Sequence, residues 1–418
     1  MTHWPEHAIF WHVYPLGFTG APTEADGADP VPRLRRLGGW LDYLIDLGAN
    51  GLLLGPVFAS ETHGYDTVDH FRVDPRLGTE DDLRWLIDEA HRRGIRVVLD
   101  GVFNHVARSF PRVEDWRRRG PDGQPATFEG HDRLVALDHE NPEVADHVTA
   151  VMTHWLDRGV DGWRLDAAYA VPTAFWRTVS DRVHRAHPEA WLVGEVIHGD
   201  YPRFVTEGGL DSVTQYELWK AVWSGLADGN FYELAHALDR HTELLDVFVP
   251  QTFLGNHDVT RIASQLPDPR HLPHAVAVLL TVAGVPSIYA GDEQGFTGVK
   301  EDREHGDDAV RPEFPADPAE LSTWGAGVFA VHQELIALRR RHPWLVRADT
   351  AVEHLDNRQL VYRSTSDAGS LLVALNLDDA ELVRPLPAGE WAPAAGHAEI
   401  RGGKLTVDGH GWGVLAGR

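Results

Sequence analysis

Along the chain, apolar and β-rich runs alternate with amphipathic segments of helical period. The strand-like runs are "AIFWHVYPLGF" (8–18), "GLLLGPVF" (51–58), "IRVVLDGVF" (95–103), "VDGWRLDAA" (160–168), "AWLVGEVI" (190–197), "LDSVTQYEL" (210–218), "VFVPQTFL" (247–254) and "VPSIYAGDE" (285–293). Helical segments fill the gaps, among them "EDDLRWLIDEAHRRG" (80–94), "NPEVADHVTAVMTHWLDRG" (141–159) and "PTAFWRTVSDRVHRAH" (172–187). Many end in Gly or a basic residue just before the next run, as helix C-termini do. Eight strand–helix units in series predict parallel strands, and eight is the number that closes a (β/α)8 TIM barrel. An open doubly wound sheet is the alternative. No G-x-G-x-x-G turn follows the first strand, so a dinucleotide-binding fold has no support.

Two stretches break the alternation. From about Asn104 to Glu140 the link after the third strand is long and rich in Pro, Gly and charge. It reads as a short excursion with little regular structure. After "VFAVHQELIALRRRHPWL" the character changes, and "QLVYRST", "SLLVALNL" and "KLTVDGHGWGVLAG" predict the short antiparallel strands of a small β-sandwich. The expected domains are therefore 1–345, the barrel with its excursion at about 104–140, and 346–418, the sandwich.

Composition narrows the partners. A net charge of -25, from 38 basic and 63 acidic residues, repels phosphate backbones and anionic lipids. Nucleic acid and membrane are disfavoured as partners, and a neutral small-molecule substrate is favoured. No run approaches the ~20 apolar residues of a membrane helix. The N-terminus lacks the basic and apolar regions of a secretory leader, so the cytoplasm is the expected location. There is no cysteine, which excludes disulfides and thiolate metal sites. The 15 tryptophans are core filler by default, although sugar clefts also use aromatic platforms. No pattern in the sequence sets an oligomeric state.

The chemistry lies in polar residues at the ends of apolar runs. Asp100, Asn104 and His105 follow the third strand, Arg164 and Asp166 end the fourth, Glu195 ends the fifth, and Asn256, His257 and Asp258 end the seventh. Barrel active sites sit at the carboxyl ends of the strands. A single buried Arg–Asp pair is weak evidence for a site, because such pairs are also structural links. Carboxylates from three strands, each inside an apolar run, are hard to explain by packing. Converging carboxylates suit glycoside cleavage, where one carboxyl stays protonated and another ionised. Arg164 beside Asp166 should lower its pKa and keep it anionic, whereas Glu195, among Val193, Gly194 and Val196, could keep a proton. A metal site built from Asp100, His105, Glu195, His257 and Asp258 is the rival, but no H-x-x-x-H pair supports it.

Four motifs in order, "DGVFNH" (100–105), "GWRLD" (162–166), "GEV" with Glu195 and "FLGNHD" (253–258), make the chain resemble the α-amylase family of glycoside hydrolases, family 13. "HGYDTVDHFRVDPRLGT" (63–79) and "GVPSIYAGDEQGF" (284–296) are similar to that family too. The resemblance is nearest to its cyclomaltodextrinase, neopullulanase and α-glucosidase-like members. It implies a retaining hydrolase of α-1,4-glucosidic bonds in maltooligosaccharides or related α-glucans, working through a covalent glycosyl-enzyme. Asp166 would be the nucleophile, Glu195 the general acid/base and Asp258 the stabiliser of the transition state. Arg164 would orient Asp166, His105 and His257 would bond the sugar, Tyr65 would stack on it, and Asp100 would sit at the base of the site. Asp66 and Arg311 would clamp a terminal glucose, as in exo-acting relatives.

Departures from the family pattern bear on subtype. "AAYA" replaces the Lys-His pair that follows the nucleophile in many secreted α-amylases, and "VALD" matches neither common subtype marker. Asn104 matches one calcium ligand of the family, but the excursion has no obvious partner set for it, so the argument for calcium rests on that residue alone, and no cofactor is expected to be required for the chemistry. No sandwich domain is expected before the barrel. Tyr14 is expected near the sugar, whereas Trp11 and His70 read as core or hydrogen-bonding residues. Trp219 and Trp223 could be plus-side sugar platforms, although an aromatic pair at helical spacing is usually core. A transglycosylase of the same family and a non-catalytic carbohydrate-binding relative are the alternatives. Relatives of the second kind usually lose one of the three carboxylates, and here all are present.

Overall fold

A computed structural model of the chain describes residues 4–417 apart from 26, 28, 121, 122 and 304. The first three residues of the N-terminal segment, and two within the excursion, thus lie outside the described residues. The strands β1 (Phe10–Val13), β2 (Gly51–Leu54), β3 (Arg96–Gly101), β4 (Gly162–Leu165), β5 (Trp191–Gly194), β6 (Ser212–Val213), β7 (Gln251–Phe253) and β8 (Val285–Tyr289) form one parallel sheet. Its order is β6-β5-β4-β3-β2-β1-β8-β7, and a parallel bridge from Thr214 to Gln251 joins its two edges. The architecture is the expected eight-stranded barrel.

The period of two along each strand divides the barrel interior into layers. Phe10, Leu53, Val98, Val193 and Val285 pack together in the N-terminal half, with Phe10 stacked on Trp191 at 5.3 Å between ring centroids. Each fully buried side chain of this plug contributes about 1.5–3 kcal/mol. Two residues further along, the same inward faces carry His12, Asp100, Glu195 and Ser287, and Gly162 leads likewise to Arg164. A side chain at Gly162 would collide with the Trp191 carbonyl, 2.4 Å from its Cβ position. Apolar filling below and polar filling above thus follow from one alternation.

Two sequence expectations need correction. The segment 210–218 is strand only at Ser212–Val213, and from Tyr216 the chain is already the helix Tyr216–Asp228. Gln215 caps that helix through its side chain, which accepts from the Leu218 N–H. The excursion is also more regular than its composition suggests. His105–Ala107, Thr127–Phe128 and His131–Ala136 form a three-stranded antiparallel sheet, with Val113–Trp116 as a helical turn. The first half of "HDRLVA" is exposed and charged, which hides the strand from a hydrophobic pattern.

Beyond the helix Ala326–Arg341 come β9 (Asp349–Leu355), β10 (Gln359–Ser366), β11 (Gly369–Asn376), β12 (Leu382–Pro385), β13 (Trp391–Gly396), β14 (Glu399–Arg401), β15 (Lys404–Val407) and β16 (Trp412–Gly417). They make a five-stranded sheet, β9-β10-β11-β16-β13, and a three-stranded one, β12-β15-β14, all pairs antiparallel. Val361, Leu372, Leu382, Leu405 and Leu415 fill the space between the sheets. The other face of the larger sheet meets the barrel helix Leu272–Thr281, where Thr281 Oγ1 lies 2.6 Å from Tyr362 Oη. Among the described residues, no helix is long and apolar enough to cross a membrane.

Past β8, Glu293 is fully buried and accepts hydrogen bonds from Tyr43 Oη at 2.8 Å and the Gly291 N–H at 2.9 Å. Burial pushes its carboxyl up to about 7, although those donors oppose the shift. A carboxyl raised in the folded state holds a proton that the unfolded chain releases, so its contribution to stability is lost as pH rises through that range. Wild-type stability should therefore fall between about pH 4.5 and 7 by roughly 3 kcal/mol on account of this group. Urea unfolding across that window should show the slope in the wild type. Glu293→Gln should lack this part of it, and an identical slope in the variant would remove Glu293 as the source.

Candidate active site

The site is built around the Arg164 guanidinium at the top of the barrel. Asp100 and Arg164 are register partners on neighbouring strands, and Val193 faces Arg164 from the other side. Inward-facing neighbours in register must touch, so Arg164 Nη1 donates to both Asp100 oxygens, at 2.8 and 2.7 Å. The same nitrogen reaches Asp166 Oδ1 at 3.3 Å, and Nη2 reaches Glu195 Oε1 at 2.5 Å. One buried cation thus serves three buried carboxylates.

Glu195 holds further donors. Tyr216 Oη donates to Oε1 at 3.0 Å and the Ala167 N–H to Oε2 at 3.1 Å. Ala167 sits at φ 44°, a left-handed backbone that non-glycine residues rarely adopt. That turn, directly after Asp166, is what brings the N–H round to Glu195. Asn256 Nδ2 in turn donates to Tyr216 Oη at 2.8 Å and fixes the phenol. Asp166 has only the longer contact to Arg164, and its carboxyl is pushed well above the usual range. Burial is the main cause, the Glu195 charge adds to it, and Arg164 opposes it. The sequence argument expected Arg164 to depress Asp166. In the resting site its Nη2 serves Glu195 and its Nη1 lies closer to Asp100 than to Asp166, and burial prevails.

Asp258 is the electrostatic opposite. Burial alone would raise it, but His257 Nε2 at 2.9 Å and Arg311 Nη2 at 2.7 Å hold it well below the usual carboxylate range. Arg311 also pairs with Asp307 at 2.9 Å, donates to the His257 carbonyl at 2.8 Å, and lies over the Tyr14 ring. His257 is sandwiched between Tyr14 and Tyr65, whose rings stack on it at 5.6 and 5.3 Å. Tyr65 Oη donates to Asp100 Oδ2 at 2.9 Å and also contacts His257 Nε2. His12, from β1, lies 3.3 Å from His257 Nδ1 and is held neutral, chiefly by burial.

His105 stacks on Phe128 of the excursion at 4.7 Å, and its Nε2 is buried without a partner. Burial lowers this imidazole to about 3, so it is neutral and free to bond a ligand hydroxyl. Asn104 Nδ2 lies 3.2 Å from His105 Nδ1. Among the described residues, the single group of three or more His, Asp or Glu side chains close enough to share an ion is elsewhere, at Asp268, His271 and His410. Asp66 is buried, with its oxygens bonded by the Thr62 N–H at 3.0 Å and Thr62 Oγ1 at 2.6 Å. It shares a cavity of about 570 Å³ with Tyr14, His63, Asp307 and Arg311, roofed by residues 131–134 of the excursion.

The structure therefore gathers Tyr65, Asp100, Arg164, Asp166, Glu195, His257, Asp258 and Arg311 into one linked cluster, with Asp66 in the adjoining cavity. His12 and Tyr216 escaped the sequence reading. His12 sits in an aromatic run that reads as plain strand, and Tyr216 was assigned to a strand where it opens a helix. Of the residues considered for the core, Trp11 and His70 are buried, whereas Trp219 and Trp223 are half-buried. Trp11 packs on Trp40, His70 donates to the Val102 carbonyl, and Trp219 donates to the Leu254 carbonyl and stacks on Phe253.

Comparison with known proteins bears on the family and the fold. The family description "Alpha amylase, catalytic domain" matches residues 33–128 and 116–317, more than half of the chain. A cyclomaltodextrinase from a Bacillus species is 31% identical over 90% of this chain and 74% of its own length. Neopullulanase 2 of Thermoactinomyces vulgaris is 30% identical over 86% of this chain and 67% of its own. Among solved structures, the debranching enzyme of Nostoc punctiforme soaked with acarbose superposes with a TM-score of 0.81 at 26% identity, covering 99% of both chains. With its barrel, its motifs in order and these relatives, the chain belongs to the α-amylase family of glycoside hydrolases.

Proposed function

We propose that this glycoside hydrolase cleaves α-1,4-glucosidic bonds of maltooligosaccharides and related α-glucans, cyclodextrins and pullulan among them, with retention of configuration. The observation that carries the reading is the single guanidinium of Arg164 in contact with Asp100, Asp166 and Glu195 at the barrel mouth. Burial, with the Glu195 charge adding to it, raises the Asp166 carboxyl and favours a proton there in the free enzyme. In the productive complex that proton belongs on Glu195, next to the leaving oxygen. Asp166, freed of it, attacks the anomeric carbon and forms the glycosyl-enzyme. Water deprotonated by Glu195 then releases the sugar.

Asp258 has the opposite task. Clamped by His257 and Arg311, it stays ionised and faces the positive charge that develops on the sugar ring. His105 offers its unpartnered Nε2 to a sugar hydroxyl. Asp66 and Arg311, aimed into the same cavity by Thr62 and by Asp258 and Asp307, would hold a terminal glucose. Such a pocket favours attack from a chain end. A calcium ion at Asn104 has no further support, and the proposed steps use none. We place the enzyme in the cytoplasm.

Asp166→Asn should lower turnover of maltooligosaccharides roughly a thousandfold or more while sugar still binds. Near wild-type turnover in that variant would reject Asp166 as nucleophile. Glu195→Gln should lose roughly 10²–10⁴-fold on sugar leaving groups, yet still form the glycosyl-enzyme from a glucosyl fluoride, which needs no proton. Equal losses on both substrates would reject the acid role. The direct test of the whole reading follows products from maltoheptaose, with the new reducing end observed by NMR. Short sugars released as the α-anomer are expected. β-anomers would overturn retention, intermediate lengths the end-on pocket, and chains longer than the substrate would assign transfer instead of hydrolysis.

A further inference from the structure

Outside the catalytic cluster, the barrel and the sandwich meet at a group of side chains that the proposed hydrolytic steps do not use. Asp268 and His271 flank the short turn Pro269–His271 that opens the helix Leu272–Thr281. His410 comes from the other domain, in the turn between β15 and β16. The ligand atoms of these three residues all lie within 4.8 Å of one another. His271 Nε2 is 3.0 Å from His410 Nδ1, and His410 Nδ1 is 4.0 Å from Asp268 Oδ2. A tetrahedral zinc ion with bonds near 2.0–2.1 Å spaces its ligand atoms by roughly 3.3 Å, so small rotations of the side chains would fit one.

Three further observations suit a metal better than a plain hydrogen-bonded contact. His410 is held at φ 56°, a strained backbone for a residue with a side chain, in a turn tied by the His410 N–H to the Asp378 carbonyl. Its other ring nitrogen, Nε2, lies 2.8 Å from Asp379 Oδ1. A carboxylate accepting from the far nitrogen leaves a lone pair on Nδ1, which is how histidine ligands are oriented. Next to them, His274 is fully buried one turn on, with its Nε2 3.1 Å from the Asn376 carbonyl and its Nδ1 without a partner. Its ring centroid is 5.2 Å from that of His271.

We propose that Asp268, His271 and His410 form a binding site for a divalent transition ion of the zinc type, which staples the sandwich domain to the barrel. Imidazole nitrogens with one carboxylate select zinc, cobalt or nickel over calcium or magnesium. Water would complete the coordination, since Asp268 and His410 are only half-buried. Arg270 competes with the ion. Its guanidinium pairs with Asp268 at 2.6 Å and adds a positive charge beside the site. Binding would replace that contact and the His271–His410 hydrogen bond.

The test uses full-length protein without a histidine tag, stripped with chelator and titrated with cobalt(II), whose visible absorption reports a site of low coordination number. One saturable equivalent is expected, displaced by zinc, and zinc should raise the melting temperature of the wild type. The chain has 25 histidines, so variants must locate the signal. His410→Ala should abolish both the absorption and the zinc-dependent melting shift, with its far-UV circular dichroism unchanged. Asp379→Asn should weaken affinity about 10–100-fold, and Arg270→Ala should tighten it. These last two leave the ligands in place and decide the matter even if His410→Ala misfolds. Absence of a one-equivalent signal in the wild type, or affinity unmoved by both Asp379→Asn and Arg270→Ala, would overturn the proposal.

Discussion

Among the described residues, the Arg164 guanidinium is the one cation in direct contact with Asp100, Asp166 and Glu195 in the barrel mouth. Burying several carboxylates costs several kcal/mol each unless each finds a partner, and removing the common partner leaves all of them uncompensated. The rest of the upper barrel is arranged around that constraint. Tyr65 and Tyr216 turn their hydroxyls toward Asp100 and Glu195, and the Ala167 turn adds an N–H. These donors supply what one arginine cannot. Below, the buried apolar plug of Phe10, Val98 and Val193 underlies the polar layer.

The arrangement leaves the carboxyls in unlike environments. Asp258 faces His257 and Arg311 and is held ionised, whereas Asp166 is raised by burial and by Glu195. A site in which every carboxylate was neutralised in the resting state would have little to offer a developing oxocarbenium ion. One in which all were ionised would have no acid. Competing demands on a single arginine keep the site between those limits. In the proposed mechanism, a substrate that drew Glu195 toward its leaving oxygen would release Arg164 toward Asp166 and so link proton placement to nucleophile activation.

The second domain is joined to this machinery by polar as well as apolar contacts. Tyr362 and Ser364 bond Thr281, His274 bonds the Asn376 carbonyl, and His271 meets His410. All fall on or beside the helix Leu272–Thr281, which connects β7 with β8. The strand ends that carry Asn256, His257 and Asp258 are therefore braced from outside the barrel by the sandwich.

What the sequence determined by itself was set by local periodicity and by chemistry out of place. Strand-like runs with helical spacers predict the barrel, and Asp166, Glu195 and Asp258 stand out because carboxylates are costly in apolar runs. Register is not local, and so the tertiary structure alone decided which groups meet. Asp100 and Arg164 are 64 residues apart in sequence and become neighbours through the pairing of β3 with β4. That pairing, and the pairing of β4 with β5, turn Arg164 mainly toward Asp100 and Glu195, and burial then reverses the expected effect on Asp166. Tyr216 was hidden for the opposite reason, in a segment whose β-rich composition is overruled by a helix that packs on the barrel. His12 and Arg311 acquire their roles only from His257 and Asp258, brought to them by closure of the sheet. A sequence specifies which side chains are expensive to bury, whereas the closed barrel decides which partner makes each burial tolerable.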